Sequence, residues 1–125
     1  MKIAVLIARI LLGLIFVIFG LNGFLNFLHA HMPTGTAGQY MAVMATTHYI
    51  HVVFVVQLVG GLLLLSGQFI PLALILLGPV IFNILVFHIT MLPAGLPPGL
   101  LALVLWLIIF FGVRHAFAGI FARKA

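Results

Sequence analysis

The sequence predicts an all-α integral membrane protein: a four-helix bundle with a short interfacial helix in the first outer loop. Three observations carry this. Hydrophobic residues make up 66% of the 125 residues and charged residues 4%, where a soluble domain carries about 25% charged. The apolar residues fall in four runs, about 3–28, 48–66, 70–91 and 99–117, each close to the ~20 residues a helix needs to cross the hydrocarbon core. The segments between them are turn-rich or short, so the chain reads as one transmembrane domain over 1–125.

The first span follows Lys2 and stays apolar from Ile3 to Leu28. That is well beyond the roughly 7–15 residues of a signal-peptide core, and bulky Leu28 disfavours cleavage after Ala30, so the span reads as retained. Arg9 lies near enough to its start for the side chain to snorkel to the headgroups. Gly13, Gly20 and Gly23 allow close approach of another helix, and Asn22 and Asn26 form an i,i+4 amide pair on one face. From His29 to Thr47 the apolar pattern breaks, with His29, His31, Pro33, Gly35 and Gly38 marking a loop. Residues 39–45 can form a short helix at the membrane surface, where Tyr40 suits the interface.

The second span runs from His48 to Ser66, with Gln57 near its middle and Gly60-Gly61 beyond it. Ser66-Gly67-Gln68-Phe69 is a very short link, so the second and third spans form an antiparallel hairpin. The third span, Ile70 to Met91, takes Pro71 in its first turn without cost. Pro79 in mid-span removes a backbone donor and crowds the carbonyl of Ile75, which predicts a bend. After the Pro- and Gly-rich stretch Leu92–Gly99 comes the fourth span, with Trp106 inside it, and the basic pair Arg123-Lys124 near the end.

Composition excludes several kinds of function. Asp and Glu are absent, so there are no catalytic carboxylates, no carboxylate metal ligands and no internal salt bridges between side chains. Cysteine is absent too, which removes disulfides and thiolate chemistry. No Ser, Thr or Tyr sits in a recognisable nucleophile motif, so a subunit or accessory role outranks a self-sufficient enzyme. The five basic residues, Lys2, Arg9, Arg114, Arg123 and Lys124, flank apolar spans and do not form a nucleic-acid-binding face. Any anionic partner for Arg9 or Arg114 must come from lipid phosphate or from a partner's carboxylate.

Neither the Leu28–His48 loop nor the Leu92–Gly99 loop carries Lys or Arg. The positive-inside rule therefore puts both termini in the cytoplasm and these two loops outside. In that orientation Asn22, Asn26, Gln57, Asn83 and His88 fall in the outer or middle part of their spans. Because intramembrane polar groups tend to face the bundle interior, they predict a polar pocket between the first three spans, open to the outside. Amides and neutral imidazoles in an apolar cleft suit the carbonyls of a quinone. His29, His31, His48, His51 and His88 are alternative metal or haem ligands, without a carboxylate or thiolate to complete the set. The third reading is structural: amides knitting helices, and a surface that meets a protein partner or a second copy.

Ala8-Arg9-Ile-Leu-Leu-Gly13-Leu-Ile-Phe-Val-Ile-Phe-Gly20-Leu-Asn22-Gly23 resembles the first helix of the DoxX family of small bacterial membrane proteins. Pro71 to His88, with Gly78-Pro79 and Asn83, leading into Pro93-Ala-Gly95-Leu-Pro97, is similar to that family's third helix and following loop. The resemblance covers nearly the whole chain. It implies a four-helix fold in the bacterial cytoplasmic membrane and an accessory role, which in some relatives is linked to quinone-dependent sulfur oxidation or to oxidative-stress complexes. Many relatives have an acidic residue where this chain has Gln57 and another around His115. Any proton-carrying role of those acids is lost here.

Overall fold

A computed structural model describes residues 2–28 and 32–124. It is all-helical, with no strand among the described residues. In chain order the α-helices are α1 (Lys2–Leu25), α2 (Gly35–Thr46), α3 (Tyr49–Ser66), α4 (Ile70–Met91) and α5 (Leu96–Gly112). A 3-10 turn, Pro93–Gly95, precedes α5, and another, Arg114–Phe117, follows it. α1, α3, α4 and α5 with its preceding turn are long and apolar enough to cross a membrane, so the chain is a multi-pass membrane protein.

The boundaries depart from the sequence expectation where a local group decides the chain's path. α1 stops at Leu25, short of Leu28, because Asn26 adopts a left-handed conformation at φ 50, which asparagine tolerates better than most residues. α2 begins at Gly35, four residues before the expected start at Gln39. α5 begins at Leu96, ahead of the expected Gly99, because Pro97 and Pro98 occupy its first turn, where a missing N–H forfeits no helical bond. It ends at Gly112, before Phe117, and the chain tightens into the 3-10 turn. α4 spans Ile70–Met91 as expected and continues through Pro79.

Around the bundle each long helix packs on two neighbours: α1 on α3 and α5, and α4 on the same two. α3 and α4 are antiparallel, as their short link requires, and α1 runs antiparallel to α3, with Gly13 against Gly61 and Gly23 against Phe54. The closest approach is between α1 and α3. A Cβ placed on Gly13 would lie 3.0 Å from the Gly61 carbonyl oxygen, and one on Gly61 would lie 2.9 Å from that of Gly13. Only glycine at both positions lets the two backbones touch, which is how helices associate in lipid without a hydrophobic driving force between them. On the other side of α3, Gly60 receives Leu77 of α4. The core has Leu12, Leu64, Leu74, Leu77 and Ile109 at its centre, drawn from all four long helices and each fully buried.

The outside is as apolar as the inside. Leu14, Val55, Leu62, Ile75, Phe82, Leu101 and Phe111 are all exposed. In water such a surface would be an aggregation hazard, whereas against acyl chains it costs nothing. α2 packs on α3 and α4 at the loop end of the bundle; its Ala37 is buried, and Tyr40 lies against Phe87 with ring centroids 5.3 Å apart.

Candidate functional site

The polar residues that the sequence assembles into one pocket are distributed over four separate places. Asn22 and Asn26 close α1. The Asn26 N–H donates to the Asn22 carbonyl at 2.7 Å, and the Asn22 side-chain oxygen accepts the Leu28 N–H at 2.8 Å. The Asn22 side chain thus holds the segment just beyond α1, while Asn26 is exposed.

Gln57 faces the interior of the bundle at 7% exposure, the one buried polar residue among those described. It lies on the α3 stripe that also carries Gly60, Gly61 and Leu64. Its amide has no hydrogen-bond partner among the described residues.

His88 is bound to its own helix. Its Nδ1 lies 2.7 Å from the Ile84 carbonyl oxygen, so the Nδ1–H tautomer donates there. The other edge of the ring rests on Gly95, where a Cβ would come 2.7 Å from Nε2. His88 thereby ties α4 to the turn that begins the last span. It does not sit free at the mouth of a pocket.

Asn83 lies apart from the other four. The buried stripe of α4 is Ala73, Leu74, Leu77, Val80 and Ile81, and at about 100° per residue that stripe turns Asn83 outward. Asn83 is exposed, as are Pro79 one turn before it and Ile75 two turns before it. It therefore lies outside the space between α1, α3 and α4. Its amide has no hydrogen-bond partner among the described residues, and in a membrane it would meet hydrocarbon. On the same stripe Pro79 provides no N–H for the Ile75 carbonyl. An otherwise greasy face thus carries a side-chain amide and a carbonyl that lacks its usual helical donor.

The histidines separate similarly. His29 and His31 lie outside the described residues. His48 and His51 have ring centroids 5.2 Å apart, but His88 is engaged elsewhere. Among the described residues no three potential metal ligands of the His, Cys, Asp or Glu types come together. His51 is instead framed by aromatic rings, Phe24 at 5.4 Å and Phe54 at 6.2 Å between centroids. Its Nδ1 is buried without a partner.

Two features escaped the sequence reading. Trp106 donates its indole N–H across the bundle to the Leu74 carbonyl at 3.0 Å, one residue before the carbonyl that Pro79 leaves without its helical donor. The available signal was that an indole N–H within a span must find an acceptor in protein. The other is a cleft of about 320 Å³ at the end of the bundle that carries the termini, lined by Lys2, Val5, Leu6, Arg9 and Gly112. A smaller apolar cleft, about 180 Å³, lies between α4 and α5 beside Gly78, Phe82 and Trp106.

Comparison with protein-family models, with curated proteins and with solved structures gives no match.

Proposed function

We propose that this chain is a DoxX-like accessory subunit of the bacterial cytoplasmic membrane, and that it assembles with a second copy through the outward face of α4. The observation that carries the reading is the outward Asn83 amide, at membrane depth and without an intrachain partner. An unsatisfied amide in hydrocarbon costs several kcal/mol on the order of a lost hydrogen bond or more, so the group demands a cover. A second copy related by a two-fold axis along the membrane normal brings another Asn83 to the same depth. An amide is both donor and acceptor, so the pair is self-complementary. The orientation follows the charge pattern, with Lys2, Arg114, Arg123 and Lys124 on the cytoplasmic side. α2 then lies along the outer membrane surface, too short at 12 residues to cross.

The absence of cysteine makes the test direct. Single Ile75→Cys and Val86→Cys variants, on the Asn83 side of α4, are oxidised in native membranes, with Leu107→Cys on α5 as the control. The expected result is a crosslinked dimer from the α4 positions, lost on adding Asn83→Leu. Crosslinking to a different protein favours the alternative of a subunit in a larger membrane complex. No crosslink from α4, together with indifference to Asn83→Leu, refutes docking through this face.

The loop end of α1 and α3 favours a second reading, contact with a quinone. His51 holds an enclosed, unpartnered ring nitrogen beside Phe24 and Phe54, an imidazole donor among aromatic rings that a quinone carbonyl reaches when those rings move aside. This moves the contact from the five residues expected from sequence to His51, with Gln57 deeper on the same helix. A quinone analogue that binds the purified protein and is lost with His51→Leu supports it. Binding unchanged by that substitution excludes this position.

A further inference from the structure

The end of the bundle that carries the termini holds a second feature, independent of the α4 face. Arg9 is partly buried, and its Nε is fully enclosed without a hydrogen-bond partner. Its guanidinium lies over the turn between α3 and α4: a Cβ on Gly67 would come 3.2 Å from Cζ and 3.5 Å from Nη2. The same side chain lines the 320 Å³ cleft with Lys2. Lys2 and Arg9 are seven residues apart on α1, hence on one helix face, about 10 Å apart along the axis. Both side chains are long enough to converge on one group between them. The remaining walls are Val5, Leu6 and Gly112, apolar and open toward lipid.

Two cations share this cleft, and the sequence has no Asp or Glu with which to neutralise them. A buried, unpaired guanidinium nitrogen is costly, and no side chain of the sequence can supply the counter-ion. We infer that the Lys2–Arg9 cleft is a binding site for the phosphate of an anionic phospholipid. The guanidinium fork matches two phosphate oxygens, and the lysine ammonium supplies a mobile second charge. Val5 and Leu6 present an apolar wall to the glycerol and the upper acyl chain. Arg9 sits in the first turns of a membrane span, at the depth from which a long side chain reaches the headgroup layer. A zwitterionic choline headgroup shares the phosphate but brings a cation against two others. The site therefore selects for net negative charge. Arg114 serves a different purpose: its Nη1 donates to the Phe111 carbonyl of its own chain at 3.5 Å, outside the cleft.

The test uses the full chain purified in a neutral detergent. Phosphatidylglycerol, phosphatidylcholine or inorganic phosphate is added, with native mass spectrometry for lipid adducts and thermal unfolding as a second readout. The expected result is retention of phosphatidylglycerol over phosphatidylcholine and a rise in unfolding temperature with the former alone. Arg9→Gln should weaken that binding about tenfold or more, as for the loss of a charge-assisted hydrogen bond. Lys2→Gln should weaken it by a smaller factor, and Arg114→Gln should leave it unchanged. Should Arg9→Gln fail to fold, Arg9→Lys retains the charge without the fork and must still bind less lipid than the native chain. Equal binding of both lipids, or an equal loss in Arg114→Gln, would overturn the site. Stabilisation by inorganic phosphate with no further effect of lipid would overturn the assignment to a headgroup.

Discussion

Replacing Trp106 by phenylalanine isolates a side-chain hydrogen bond that ties α5 to α4. The indole N–H bonds the Leu74 carbonyl at 3.0 Å, and the ring stacks on Phe110 at 5.4 Å with planes 6° apart. Phenylalanine keeps the stack and removes the donor. Interhelical side-chain bonds in membranes average about 0.6 kcal/mol and reach about 1.7. Removing the second ring of the indole adds the loss of several atom contacts at about 0.1–0.2 kcal/mol each. The expected destabilisation is about 1–2 kcal/mol, measured by reversible denaturation in bicelles.

The cause can be separated from the loss of bulk with Pro79→Ala. That substitution returns an N–H to the Ile75 carbonyl, next to the Leu74 carbonyl that Trp106 binds. If Trp106 exploits the proline-loosened turn, W106F and P79A are non-additive by about 0.5 kcal/mol or more in a double-mutant cycle. Strict additivity, with W106F alone costing less than about 0.3 kcal/mol against the range expected for such bonds, would show that the bond contributes nothing and that the reasoning is wrong.

Two further expectations follow from the close contacts. Gly61→Ala forces a methyl group to within 2.9 Å of the Gly13 carbonyl oxygen, a backbone atom that cannot move aside; it should destabilise by about 1–3 kcal/mol. In contrast, Gly78→Ala meets Trp106 at an ordinary 3.6 Å and should be neutral or stabilising by up to about 1 kcal/mol, so equal effects in the same denaturation assay would contradict the packing described. At the other end, Gly95→Ala collides with the His88 ring and should destabilise by about 1–3 kcal/mol, with most of that recovered on adding His88→Ala; no recovery would show that the two residues are not in contact.

How much of this was legible in the sequence depends on which physical constraint is local. The length of each span is a local property, because every residue that crosses the hydrocarbon must be apolar and helical in its own right. Ile70–Met91 could be placed to the residue for that reason, and the tight link at Ser66–Phe69 dictated an antiparallel hairpin. Helix ends were less legible. Asn26 could end α1 or continue it, and Pro97-Pro98 could lie before α5 or in its first turn, as the backbone conformation alone decided.

The rotation of α1 and α3 was legible in their glycines, which do face each other, but that of α4 was not. In a soluble bundle, polar residues mark the outside and reveal the buried face. Here both sides are apolar, so Asn83 gives no sign of whether it points toward α3 or toward lipid. The packing of Leu77 against Gly60 and the Trp106 bond to the Leu74 carbonyl fix that angle. The sequence by itself determined the solvent, the number of crossings and the absence of any side-chain counter-ion for Arg9. The tertiary structure decided which polar groups meet a partner within the chain and which, like Asn83 and Arg9, do not, because in lipid that question is settled by shape and not by hydrophobicity.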